Sequence, residues 1–142
     1  MKLHIITVGA PKLPYARLGW DEYLTRLQRF HQVRVTHIPD KHNDAEHLLA
    51  ASQGSYRMGL VIKGQEFDSP ALAAFLEKRA IEGREVSLLI GGPDGLPQAV
   101  QAALDYSWSF GQLTYPHDLA MVMLAESLYR AASITAGLPY HH

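Results

Sequence analysis

Two loops and one tail hold the residue types that could do chemistry. Ile90-Gly91-Gly92-Pro93-Asp94-Gly95-Leu96 directly follows the apolar run Leu88-Leu89-Ile90. Three glycines and a proline permit unusual backbone angles and let a ligand approach the main chain. A plain turn from strand to helix would use the same residues, and both readings stand at this point. The spacing is not GxGxxG, here or after the first apolar run, and no Gly-Lys-Ser/Thr follows, so neither a dinucleotide fingerprint nor a P-loop is present. The second loop, Ser107-Trp108-Ser109-Phe110-Gly111-Gln112-Leu113-Thr114-Tyr115-Pro116-His117, leads into a long apolar segment. Gly111 and Pro116 frame backbone donors and acceptors suited to the edge of an adenine, and Thr114 adds a hydroxyl. His117 stands at a helix start and reads as a capping or packing group. The tail, Gly137-Leu138-Pro139-Tyr140-His141-His142, carries an aromatic ring and two imidazoles. Gly137 can stop a helix and Pro139 sets the exit direction of the chain.

Other chemistries lack their residues. His4, His31, His37, His42 and His47 are scattered. His42 and His47 are five apart, a spacing that does not put both on one helix face. There is no HExxH, so no metal site is expected. There is no GxSxG elbow or Ser-His-Asp order for a hydrolase. The chain has no cysteine, which excludes disulfides and thiolate ligands and fits a reducing cytoplasm.

Short runs rich in Val and Ile, bounded by Gly or Pro, predict strands at Lys2–Val8, Val33–Ile38, Gly59–Ile62, Glu85–Ile90 and Tyr106–Phe110. Helical patterns lie between them. Trp20, Tyr23, Leu24 and Leu27 share one face. Asn43 or Asp44 caps a helix carrying Leu48 and Leu49. Ser69-Pro70 reads as N-cap and N1 of a helix that Gly83 closes, and Pro97 opens a shorter helix to about Leu104. Strands alternating with helices predict an open parallel α/β sheet covered on both faces, with ligands at the carboxyl ends of its strands. The 142 residues form one domain, with 47% hydrophobic and 19% charged residues. The N-terminal run reads as a strand and not a signal peptide, and no run has membrane-spanning length. A net charge of -1 argues against nucleic-acid binding by bulk charge alone.

The last helix, predicted from about Asp118 to Ala136, is apolar all round from Leu119 to Ala125. Such a helix is buried on every side. One face can rest on the sheet. The other needs a partner, most simply a second copy of the chain, or else the whole helix lies deep in the core. Glu126 and Arg130 stand at i,i+4 and can pair.

These segments together resemble a known family. LLIGGPDGL at 88–96, SWSFGQLTYPH at 107–117, AESLYRAASI at 125–134 and PYH at 139–141 are similar, in order and spacing, to the SPOUT-class ribosomal RNA methyltransferases of the RlmH type, and the likeness runs from MKLHIITVG at the start. The resemblance implies a single minimal SPOUT domain over residues 1–142 with a C-terminal trefoil knot. It implies a homodimer packed through the last helix, and S-adenosylmethionine as methyl donor, bound by Leu60, Gly92 and the run Gly111, Gln112, Leu113, Thr114, Tyr115 and Pro116. The implied reaction is methylation of the N3 of a pseudouridine in large-subunit (23S) rRNA. With so little positive charge, the assembled ribosome is the expected substrate. His141 is the expected general base, with Tyr140 beside it as an orienting or stacking group. No metal and no membrane are implied, and the location is cytoplasmic. Three positions depart from the family: Met121 and His142 stand where basic residues are common, and Val61 where an Asp is common. Two rivals remain open: a non-catalytic ribosome-binding dimer of the same fold, and a flavodoxin-like nucleotide module that is monomeric and binds at Gly9–Lys12.

Overall fold

Alternation along the first strand sorts its side chains onto two faces. Leu3 and Ile5 join one buried cluster, while Ile6 and Val8 join another. The computed structural model, which describes residues 1–142, runs β1 (Lys2–Val8), α1 (Pro14–Leu27), β2 (Gln32–Ile38), a 3₁₀ turn (Asp40–His42), α2 (Ala45–Ala51), β3 (Tyr56–Gln65), α3 (Ser69–Glu82), β4 (Val86–Ile90), α4 (Gln98–Ala102), β5 (Tyr106–Trp108) and α5 (His117–Thr135). All pairings are parallel, and the strand order is β2-β1-β4-β3-β5. Leucines, alanines and a tryptophan of α1, α3 and α5 fill the larger cluster. Leu48 of α2 and Val100 of α4 cover the other face. The parallel sheet with helices on both sides is thus as expected, and β4, buried at every residue, is its most enclosed strand.

The boundaries differ in instructive ways. β3 extends well past Ile62, because a bulge between Leu60 and Gln65 lets both residues pair with Trp108 while Val61–Gly64 leave the ladder. Buried Ser109 pins this bulge. Its hydroxyl donates to the Ile62 carbonyl at 2.7 Å, and its N–H donates to Gln65 at 2.8 Å. β5 therefore ends at Trp108 and not at Phe110. Helix α3 is capped by Asp68, one residue earlier than expected, whose carboxylate accepts from the Ala71 N–H at 2.8 Å. Asp44 caps α2 in the same way through the His47 N–H. Gly83 ends α3 at φ 77°. Gly137, at φ 72°, ends α5 with paired bonds from Gly137 and Leu138 N–H to Ile134 and Ser133.

No residue of α5 from His117 to Ile134 is exposed in the single chain. α1 and α3 pack on its flanks, so the chain itself supplies more cover than the sheet alone would. Met121 is wholly buried and lies within the core. Leu119, Val122 and Met123 are half-buried. Val122 rests against Gly19 of α1, where an added Cβ would stand 3.0 Å from its methyl. The exposed Leu18 (74%) and Tyr15 (50%) are on that same helix. None of the helices is long and apolar enough to cross a membrane.

Buried Asp118 fastens the start of α5 to the β1–α1 connection. Its Oδ2 accepts from the N–H groups of Lys12 (2.9 Å) and Leu13 (2.6 Å). Asp118→Ala removes both bonds, and hydrogen bonds to a charged group are worth about 1.5–3 kcal/mol each. We expect a clearly lower urea midpoint for Asp118→Ala and a smaller drop for Asp118→Asn, which keeps one acceptor. An unchanged midpoint in both would show that the clasp contributes nothing.

Candidate functional site

The carboxyl ends of β3, β4 and β5 open into a cavity of about 790 Å³, within the range of small-molecule sites. Three chain segments wall it. The β3 bulge supplies Leu60 to Lys63, the loop after β4 supplies Ile90 to Leu96, and the connection into α5 supplies Phe110, Gly111 and Leu113 to His117. Gln101 and Ala120 complete it. Its walls mix apolar side chains with the backbone of glycine-rich loops, which suits a ligand having a flat ring and a polar rim. The expected cofactor residues Leu60, Gly92, Gly111, Leu113, Thr114, Tyr115 and Pro116 all line this cavity. Gln112 does not, and its exposed side chain stands outside it.

Glycine is required in the β4 loop for packing. A Cβ on Gly91 would fall 2.3 Å from the Gly95 carbonyl carbon, so the loop folds back on itself as a tight turn, held by the Gly95 N–H to Gly92 carbonyl bond at 2.9 Å. A Cβ on Gly92 would point away from the cavity, toward Asn43 Nδ2 at 3.1 Å and Val8 at 3.4 Å. Gly92 therefore offers the cavity its backbone. A larger residue there would strain the loop from behind.

The loop Gly9–Lys12 does not line this cavity. Within that loop, the Lys12 N–H is already bonded to Asp118, as is the N–H of the next residue, Leu13.

The tail is ordered against α5. Arg130 and Glu126 pair as their spacing predicts, with Nε and Nη2 donating to the same Oε1 at 2.8 and 2.6 Å. Tyr140 donates to that oxygen at 3.1 Å. Its ring stands edge-on to Tyr129 at 4.7 Å and lies under the Arg130 guanidinium, also at 4.7 Å. Burial, then a hydrogen bond with Tyr23 and the Glu126 charge, push the Tyr140 phenol well above its usual value. Tyr140 is thus a neutral donor and not a base. His141 Nδ1 lies 3.2 Å from Arg130 Nη1. A guanidinium can only donate, so Nδ1 is the acceptor in this contact. Neither Tyr140 nor His141 lines the cavity of its own chain. Glu126 and Arg130 lie six and ten residues beyond Ala120, about 9 and 15 Å along the helix. The sequence shows each component of the pocket and of the tail, but their separation within one chain is a tertiary fact.

A further cluster lies behind the glycine loop. His42 ends the 3₁₀ turn and His47 lies in the first turn of α2. Their rings stack at 4.0 Å with planes 15° apart. As their spacing implies, they share no helix face; they meet because they belong to different elements joined by a tight turn. Asp44 between them accepts from His47 Nδ1 at 2.8 Å.

Comparison with known proteins agrees with this architecture. The family model described as a predicted SPOUT methyltransferase matches residues 1–141. The ribosomal RNA large subunit methyltransferase H of Deinococcus deserti is 47% identical over 145 aligned residues, covering 99% of each chain. That of Deinococcus radiodurans is 49% identical over 144, again covering 99% of each. Among solved structures, a probable methylase family protein from Haemophilus influenzae shares the fold, with a TM-score of 0.57 at 11% identity over 99% of this chain and 70% of the other. The chain belongs to the SPOUT methyltransferase family and, within it, to the ribosomal RNA large subunit methyltransferase H type.

Proposed function

We propose that the chain methylates the N3 of a pseudouridine in large-subunit ribosomal RNA, using S-adenosylmethionine and acting on the assembled ribosome in the cytoplasm. The observation that carries this reading is the cavity of about 790 Å³ built from the same segments that mark the family, lined by Gly91–Leu96, Gly111 and Leu113–Pro116. Leu60, Leu113 and Ile90 offer apolar contact to an adenosine, and the main chain of both loops can meet its polar edge. When bound there, S-adenosylmethionine would supply the methyl group as an electrophilic carbon on a sulfonium, with S-adenosylhomocysteine as leaving group. The nucleophile is an imide nitrogen that must lose its proton, and the products are N-methylated base and S-adenosylhomocysteine. What the protein adds is alignment, exclusion of water and a place for that proton.

The tail supplies the last of these in our reading. Tyr140, held neutral, orients or stacks on the base. His141 takes the proton through Nδ1, which becomes free when the Arg130 guanidinium turns to a phosphate of the RNA. The tail lies well down α5 from its own chain's cavity, and this favours a site completed across a homodimer, one chain holding the methyl donor and the other presenting Tyr140 and His141. Half-buried Leu119, Val122 and Met123 of α5, beside exposed Leu18 and Tyr15 of α1, make an apolar seam for the second copy. We also propose the trefoil knot. β5 is at the sheet's edge, and α5 packs between α1 and α3. The 109–116 connection must return across the ends of β3 and β4, and it lies against the 91–96 loop in the cavity wall.

Three outcomes test this reading. Ala120→Leu grows a side chain into the cavity from a rigid helix. Calorimetry should show S-adenosylmethionine affinity reduced about tenfold or more, a change of about 1.4 kcal/mol, with the circular dichroism melt little changed. Equal affinity would place the methyl donor elsewhere. Leu18→Glu alters a side chain exposed in the single chain, so the fold should persist while light scattering shows a shift from dimer to monomer; a wild-type monomer at micromolar concentration would refute the dimer. A chain ending at Leu138 should remain dimeric and still bind S-adenosylmethionine. Its methyl transfer to ribosomes lacking this modification should fall at least about tenfold, given that general acid–base groups contribute about 10²–10⁴-fold. Full activity would make the tail dispensable, and methyl-donor binding with no transfer by the intact chain would favour the non-catalytic dimer.

A further inference from the structure

Behind the cavity, on the face of the sheet covered by α2, the chain turns sharply from β2 into α2. Pro39 ends the strand, Asp40–His42 form one 3₁₀ turn, and Asp44 caps α2. This turn folds His42 back over the first turn of α2, where His47 projects from the third helical position. The imidazoles stack at 4.0 Å. The Asp44 carboxylate lies against His47 Nδ1, with its two oxygens 2.8 and 3.0 Å away. One ligand-capable atom from each of the three residues lies within 4.8 Å of the others.

We infer that His42, Asp44 and His47 form a binding site for a divalent transition-metal ion of the zinc or nickel class. The donor set selects that class: two imidazoles and one carboxylate suit zinc, nickel or copper, whereas calcium and magnesium take all-oxygen shells. The geometry is near what is required. Bonds of about 2.0–2.2 Å at tetrahedral angles put ligand atoms about 3.4 Å apart, so closure from 4.8 Å asks for shifts of about 1 Å. A metal lies in the plane of each imidazole that binds it, so the stacked rings must turn out of their stack, and His47 is exposed and His42 half-buried. Three protein ligands leave a fourth position to water.

The site has a structural neighbour. Asn43, between two of the ligands, faces the back of Gly92, with its Nδ2 only 3.1 Å from where a Cβ would stand. Its buried Oδ1 has no partner. An ion held by His42, Asp44 and His47 would fasten this turn to α2 and so brace the loop that walls the cavity. The inference does not depend on the methyl-transfer reading, since it concerns residues outside the cavity.

Calorimetry with zinc chloride on the full-length protein, first stripped with a chelator, tests it. One ion should bind per chain, and the bound ion should raise the melting temperature, as any ligand of the folded state alone does. His42→Gln and His47→Gln should each weaken binding about tenfold or more. Asp44→Asn keeps an acceptor at the helix cap and removes the charge, so it should weaken binding with the helical signal intact. The double variant His141→Gln with His142→Gln should bind as the parent does, and magnesium should not compete. Absence of saturable binding to zinc and nickel up to millimolar concentration would overturn the site. So would parental affinity in the His42→Gln, His47→Gln double variant, or loss of binding on changing the tail histidines alone.

Discussion

Helix α5 cannot leave its middle in water on any side, and the rest of the structure is arranged around its burial. Leu119–Ala125 is apolar throughout, and the chain answers by laying the helix between α1 and α3 on one face of the sheet. β5, the element just before it, lies at the sheet's outer edge. The connection must therefore travel back across the strand ends, and in doing so it closes a cavity over β3 and β4. Hydrophobic burial of one helix thus creates the concave site, and Asp118 fixes where that helix begins by satisfying two N–H groups of a distant turn.

Glycine-rich loops make much of the wall of the site. The β4 loop can fold on itself only because Gly91 has no Cβ to meet Gly95, and Gly92 turns its bare side toward Asn43. The β3 bulge pushes Val61–Gly64 outward at the point where Ser109 can hold it. Rigid loops of this kind present fixed main-chain dipoles to a ligand and lose little freedom when it binds, which is the usual basis of preorganised affinity. The tail is organised differently. Tyr140 and His141 are held by the Glu126–Arg130 pair, with Tyr129 packed edge-on to the Tyr140 ring.

Much was legible in the sequence for simple physical reasons. Period-two and period-3.6 patterns, with Gly and Pro at the breaks, place the strands and helices α2 to α5 to within a few residues and mark the C-terminal half of α1, whose start at Pro14 they leave undefined. Asp44, Gly83 and Gly137 act locally, through their own side chain or their own φ, so their roles can be read from a few neighbours. The i,i+4 pairing of Glu126 with Arg130 is equally local. The glycine loop and the run to Pro116 marked two of the three cavity walls, and their likeness to a family supplied the rest of the expectation.

Only the tertiary structure decided what depends on contacts between distant segments. The β3 bulge follows from Ser109, more than forty residues away, and no pattern within β3 announces it. Met121 looks like a lost surface charge until the fold buries it. The neighbours that a Cβ at Gly92 would meet, Asn43 and Val8, come from distant segments. His42 and His47 fail any helical-face test, yet a turn between two elements stacks them. The tail's position beside Arg130, well along α5 from the cavity of its own chain, likewise depends on how the chain turns after Gly137. Local order follows from short-range sterics and hydrogen bonds that a sequence displays directly; these other features arise from packing between segments whose separation in the chain says nothing of their distance in space.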